Sequence, residues 1–235
     1  MSIKAILFDL DGTLLPLDQN LFTKTYFSTL AINLAQYGYE PKGLIDAIWT
    51  GTIAMMKNNG SRTNEEMFWE TFSSIYGNKA LDDEPKFDKF YREDFDKIQA
   101  VCGYNSSSKE VIDTLKSKGY KLALATAPLF PSIATEKRAK WAGLDYKDFD
   151  LITTYENSRF SKPNLNYYIS IAENLGVEPS ECLMVGNDVK EDMVASSIGM
   201  KVFLITDNIV NREGKDISTI PQGNFNDLLN FIETL

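Results

Sequence analysis

The sequence predicts an α/β protein: a doubly wound, parallel-sheet core of Rossmann-like type, with an all-helical insertion after the first strand. Three observations predict it. A buried-strand pattern near the N-terminus runs straight into a carboxylate-rich turn, amphipathic segments then follow one another from about residue 21 to residue 98, and helix and strand patterns alternate after Gly103.

Residues 3–10 (IKAILFDL) form an apolar run broken by Asp9 and followed by the turn-forming pair Asp11-Gly12, so they read as a buried strand opening into a loop. Helical periodicity predicts the next segments at 21–37, 44–56, 65–75 and 87–98, with turns at 38–41 and 58–62 and no strand pattern between them. Trp49, Phe68, Trp69 and Phe72 recur at helical spacing and are assigned to the core of this insertion. Beyond Gly103 the pattern predicts helices at 108–118, 133–142, 165–175 and 190–198, and strands at 121–125, 151–154, 182–185 and 202–205. Gly119 and Gly176 stop two of the helices. Repeated βα units imply a parallel sheet, in which ligands bind beyond the carboxyl ends of the strands. No internal repeat, low-complexity tract or linker-like run interrupts the chain.

Composition narrows the chemistry. The 235 residues contain no histidine, which excludes Ser-His-Asp and Cys-His hydrolases, phosphohistidine enzymes and imidazole-based zinc sites. Acid/base work must fall to carboxylates, Lys or Tyr. With 24 Lys plus Arg against 33 Asp plus Glu, the net charge of −9 argues against nucleic acid and anionic membrane surfaces as partners. An anionic substrate therefore needs a local cation. Cys102 and Cys182 are too far apart in sequence for a CxxC site and suggest neither a disulfide framework nor a metal knuckle. The apolar run at residues 5–8 is far too short for a signal-peptide core, and the expected location is cytoplasmic.

Four groups of reactive residues fall just after predicted strands: Asp9-Leu10-Asp11-Gly12-Thr13, Thr126, Ser161-Lys162-Pro163, and Gly186-Asn187-Asp188 with Asp192 one helical turn on. Clustered carboxylates repel one another, and a hard divalent cation with oxygen ligands, Mg²⁺, is the usual remedy. Such a cation, a lysine and a threonine can together hold a phosphate. Each residue also has a plainer reading on its own: Asp-x-Asp-Gly as a solvated turn, Thr126 as a strand-end hydroxyl, Lys162 as a surface lysine, Asp188 as a helix N-cap.

FDLDGT, the Thr of LALATA, the Lys of SKPN and the acidic VGNDVKED stand in the order found in the haloacid dehalogenase-like (HAD) hydrolase superfamily, which this sequence resembles from about residue 2 to residue 205. The resemblance is to its phosphatases with a helical C1 cap. It implies a cap at about 17–100 and a catalytic core of 1–16 plus 101–235. It implies Asp9 as the nucleophile that forms an aspartyl-phosphate and also binds Mg²⁺. Asp11 would be the acid/base and a metal ligand through its carbonyl, and Thr126 and Lys162 would hold the phosphate. Asn187, Asp188 and Asp192 are the candidates for the remaining metal contact; Asp188 is assigned to it, with Asp192 acting through water or Lys162.

The Thr63-Asn64-Glu65-Glu66 capping box makes the segment before it a loop feeding a helix start, with Arg62 solvated on the plainer reading; the resemblance adds the alternative of a substrate-facing Arg62. The implied reaction is Mg²⁺-dependent hydrolysis of a small phosphorylated metabolite. A phosphomutase of the β-phosphoglucomutase kind shares the intermediate, whereas a 2-haloacid dehalogenase has no use for Asp11. A receiver-like or non-catalytic phospho-Asp module is the alternative from another class, although a receiver is about half this length and lacks a cap.

Overall fold

In the computed structural model, which describes residues 2–235, strand β1 (Ala5–Phe8) leads through a tight loop into four helices. These are α1 (Gln19–Ala35), α2 (Pro41–Met56), α3 (Asn64–Tyr76) and α4 (Lys79–Glu93), closed by a 3-10 segment at Phe95–Val101. The chain leaves and re-enters the core at one place, where Leu17 bridges to Cys102 and the Gly103 N–H donates to the Pro16 carbonyl at 2.6 Å. The core continues with α5 (Ser106–Ser117), β2 (Lys121–Leu124), α6 (Ser132–Trp141), β3 (Leu151–Ile152), α7 (Leu165–Leu175) and β4 (Cys182–Gly186). A 3-10 segment (Met193–Ile198), β5 (Lys201–Ile205), β6 (Gln222–Gly223) and α8 (Phe225–Ile232) complete it.

All the paired strands are parallel, in the order β3-β2-β1-β4-β5-β6. Alternation along each strand sends side chains to opposite faces. Ile6, Phe8, Leu122, Leu124, Leu183 and Val185 join the large core shared with the helical insertion. Ala5, Leu7, Ala123, Cys182 and Met184 face the other way, packing with Tyr167, Tyr168 and Ile171 of α7. Burial on both faces is what near-continuous apolar strands require.

Register positions the site. Phe8 pairs with Leu124 on one side and Val185 on the other, so the three chains reach the same edge of the sheet together. Asp9, Thr126 and the Asn187-Asp188 pair then emerge side by side.

The structure departs from the sequence reading in several places. Helix α4 begins at Lys79, well before residue 87, because the acidic stretch Asp82-Asp83-Glu84 followed by Pro85 hides its periodicity. The segment expected as a helix at 190–198 is a 3-10 segment from Met193. Its approach is tightened because the Asp188 Oδ1 accepts from the N–H groups of Lys190 and Glu191 at 2.8 and 2.9 Å. Strand β6 and helix α8 lie beyond the elements read from the sequence. Among the aromatics assigned to the core, Phe68, Trp69 and Phe72 are buried, but Trp49 is 44% exposed and faces a cavity instead. Both cysteines are free, and among the described residues no helix is long and apolar enough to cross a membrane.

Candidate active site

Asp9 follows β1 directly and is held from two sides. Lys162 Nζ donates to its Oδ1 at 2.8 Å, and the Thr13 hydroxyl lies 3.1 Å from its Oδ2. The same hydroxyl is 3.0 Å from Asn187 Oδ1, so its single proton can serve one acceptor at a time. The loop carrying these groups is closed by Leu15 N–H to Leu10 carbonyl and Gly12 N–H to Leu15 carbonyl, both 2.8 Å. Gly12 has φ +90°, and a Cβ there would lie 2.4 Å from Asn187 Nδ2. Glycine is thus required twice over, for the backbone turn and for the approach of Asn187.

Lys162 is 2% exposed and bridges two carboxylates, reaching Asp192 Oδ1 at 2.7 Å as well as Asp9. Burial opposes its charge, but the two carboxylates overcome that and hold it as the ammonium. Asp192 is equally buried, and burial pushes its carboxyl up against the pull of Lys162. Its second oxygen accepts the Asp188 N–H at 2.9 Å. Gly186 makes room for this arrangement, since a Cβ there would sit 2.2 Å from Asp192 Oδ2.

Thr126 is buried, and its carbonyl is fixed by the Thr153 hydroxyl at 2.7 Å and the Tyr167 hydroxyl at 2.9 Å. Asp188 acts as a turn cap through Oδ1, while its Oδ2 lies 3.7 Å from Arg212 Nη1. Asn187 is engaged at both ends, with Nδ2 donating to the Asn208 carbonyl at 2.6 Å.

The residue that sequence reasoning missed is Arg138. It lies on α6, is 0% exposed, packs its guanidinium 4.6 Å above the Phe130 ring, and forms an ion pair with Asp11 Oδ2. The signal was available: Arg138 shares a helix face with Ala134 and Trp141, an apolar stripe on which a cation is out of place. Asp11 Oδ1 is buried without a hydrogen-bond partner among the described residues. Burial pushes the Asp11 carboxyl above the usual range, opposed by Arg138 and reinforced by the charge of Asp9.

Arg62 stands apart from this group. It is half exposed, ion-paired with Glu70 at 2.5 Å, and outside the cavity lining. Asparagines take the inward positions of its loop: buried Asn64 donates to the Pro128 carbonyl at 3.1 Å, and Asn58 donates to Asn64 Oδ1 at 2.9 Å. They dock the insertion on the core and leave Arg62 to solvent.

A cavity of about 590 Å³ opens over Asp11, between the insertion and the strand ends. Among the described residues no three carboxylate or cysteine side chains come close enough to cage a cation by themselves. The oxygens that could hold one are the Asp9 carboxylate, the Asp11 carbonyl, Asn187 Oδ1 and the Asp188 carboxylate. That set suits Mg²⁺, which keeps several waters and substrate phosphate oxygens as ligands and takes only one or two carboxylates from the protein.

The family profile of haloacid dehalogenase-like hydrolases matches residues 3–197. The PpaX protein of Clostridium perfringens is 30% identical over 199 residues, covering 85% of this chain and 82% of the relative. Pyrophosphatase PpaX of Bacillus velezensis is 26% identical, covering 85% and 81%. Among solved structures, a HAD phosphatase from Thermococcus onnurineus shares the fold with TM-score 0.61 at 20% identity, covering 98% of each chain. The magnesium-bound HAD-hydrolase YfnB of Bacillus subtilis shares it with TM-score 0.57 at 18% identity, covering 99% of this chain and 100% of that one. With the family profile spanning most of the chain and the strand-end residues grouped as above, the protein belongs to the haloacid dehalogenase-like hydrolases, in the phosphatase branch whose helical C1 cap is inserted between the first two strands.

Proposed function

We propose that the protein is a Mg²⁺-dependent phosphatase that hydrolyses a small organic phosphate monoester through an aspartyl-phosphate on Asp9. The observation that carries this reading is the pairing of two carboxylates in opposite environments. Asp9 is held between the Lys162 ammonium and the Thr13 hydroxyl, whereas Asp11, two residues on, is pushed up by burial toward its protonated form. One is suited to attack and the other to donate a proton.

In this mechanism an Asp9 oxygen forms a bond to phosphorus as the bond to the leaving alcohol oxygen breaks. The proton on Asp11 passes to that oxygen. Arg138 occupies Asp11 Oδ2, so the unpartnered Oδ1 is the atom that carries the proton. Water then attacks the phosphorus, its proton returns to Asp11, and Asp9 is released with inorganic phosphate. Lys162 and Thr126 hold the phosphoryl oxygens, with Lys162 kept in place by Asp192. Asp9, the Asp11 carbonyl and Asp188 would hold Mg²⁺, which when bound would supply the charge neutralisation that an anionic phosphate needs beside a carboxylate. The relatives named for pyrophosphatase and phosphatase activity, and the magnesium in YfnB, support this reading.

Hydrolysis of a generic aryl phosphate tests it. Activity should require Mg²⁺, vanish with excess chelator and fail with Ca²⁺, whose looser coordination misplaces the attacking oxygen. Full activity in chelator would sink the proposal.

A further inference from the structure

The cavity over Asp11 is built for something other than a small, densely charged molecule. Its volume of about 590 Å³ lies in the range of sites that take whole organic ligands, far more than a phosphate group needs. Its walls are aromatic from both sides, with Phe22, Phe27, Trp49 and Trp69 from the cap and Phe130 and Tyr155 from the core. Trp49 and Phe27 lie with ring centroids 5.3 Å apart at 40°, and Trp49 keeps 44% of its surface exposed. A large aromatic left partly open beside a cavity is apolar surface that the protein covers only in part.

The charges lining the cavity point the same way. Three are carboxylates, Asp11, Asp88 and Glu191, and two are cations, Lys24 and Arg212. Arg212 is already engaged, donating to Gln19 Oε1 at 2.6 Å and lying 3.7 Å from Asp188 Oδ2. Lys24 is exposed. A second anionic group on the substrate would therefore meet mainly aromatic rings and carboxylates, with Lys24 and Arg212 as the cations of the lining.

We infer that the substrates are monophosphate esters whose alcohol portion is a flat, uncharged ring system stacked against Trp49, and that small ringless phosphates, above all those carrying a second anionic group, are disfavoured. This rests on the phosphatase reading above and departs from what the name of the PpaX relatives suggests for this chain.

The test compares kcat/KM for adenosine monophosphate and naphthyl phosphate with that for pyrophosphate and glycerol phosphate, with Mg²⁺ present. The ring-bearing esters should be preferred by about tenfold or more, the worth of one buried, stacked ring. Trp49→Ala should shrink that preference by about tenfold, whereas Ile53→Ala, an exposed residue of α2 outside the cavity lining, should leave it as it is. Tryptophan fluorescence of the Asp9→Asn variant gives a second readout independent of turnover: ring-bearing monophosphates should quench it at lower concentration than glycerol phosphate. Turnover concentrated on pyrophosphate or glycerol phosphate, or equal losses in Trp49→Ala and Ile53→Ala, overturns the inference while leaving the phosphatase reading intact. No turnover on any ester removes the phosphatase reading, and the fluorescence titration then decides this inference by itself: equal quenching by ring-bearing and ringless phosphates overturns it.

Discussion

Arg138, sealed from solvent beneath the Phe130 ring, is ion-paired with Asp11 and so ties helix α6 to the carboxylate two residues beyond Asp9. A buried charge of this kind is held by its partner, and removing one member leaves the other desolvated and unpaired. The pair therefore joins stability to the proton that Asp11 is proposed to deliver.

Arg138→Met should destabilise the fold by about 3–5 kcal/mol, measured by chemical denaturation. Its effect on the pH profile is the more telling result. Burial already raises the Asp11 carboxyl, and Arg138 opposes that rise. A general acid is lost as pH climbs through its pKa, so removing Arg138 should move the alkaline limb of kcat to higher pH, while Arg138→Lys should hold it near the wild-type position. Asp11→Asn should erase the limb and lower kcat by about 10²- to 10⁴-fold. A limb unmoved in Arg138→Met would reduce Arg138 to a packing role.

The residues after β4 make different claims on Mg²⁺. Asp188 Oδ1 is committed to the N–H groups of Lys190 and Glu191, whereas Oδ2 lies 3.7 Å from Arg212 Nη1, beyond hydrogen-bond distance. Asn187 is bound at both ends, by Thr13 and by the Asn208 carbonyl. Asp188→Asn keeps an oxygen for the cap and should raise the Mg²⁺ concentration for half-activation by about 10- to 100-fold. Asn187→Ala should lower thermal stability and kcat with a smaller change in that concentration. Magnesium titration of the two variants separates the roles, and the reverse order would make Asn187 the ligand.

Arg62→Ala should change kcat/KM by less than about twofold on any phosphate ester and alter stability by no more than about 1 kcal/mol, as expected of an exposed ion pair. A large loss confined to one substrate would restore Arg62 to the site.

The parallel sheet and the turns at its strand ends were legible because fully buried strands have a simple signature: IKAILFDL and ECLMVG are apolar on both faces and stop at polar turns. Helix α7 was equally plain, with Gly176 in the left-handed conformation at its end. Strand β6 has two residues, too few for any period to register, and α8 opens on an Asn224–Asp227 capping box, not the commoner Ser or Thr with Glu. The site divides along similar lines. Asp9, Thr126 and Asp188 stood out because they follow strands, and Lys162 because its SKPN motif lies in the loop before α7. Arg138 lies within a helix, and its meaning appears only when α6 is packed over the loop that carries Asp11. For Arg62 two readings stayed open because a capping box fixes where a helix starts but not which neighbouring side chain faces inward; in the structure the buried pair Asn58 and Asn64 takes the inward positions.

The central claim is that Asp9 carries the phosphoryl group between its two transfers. The most direct measurement is acid quenching during turnover with a labelled phosphate ester, followed by peptide mapping of the trapped protein. Phosphate should be found on the peptide containing Asp9, and both the label and turnover should be lost in Asp9→Asn. Wild-type turnover in Asp9→Asn, or phosphate recovered on another residue, would contradict it.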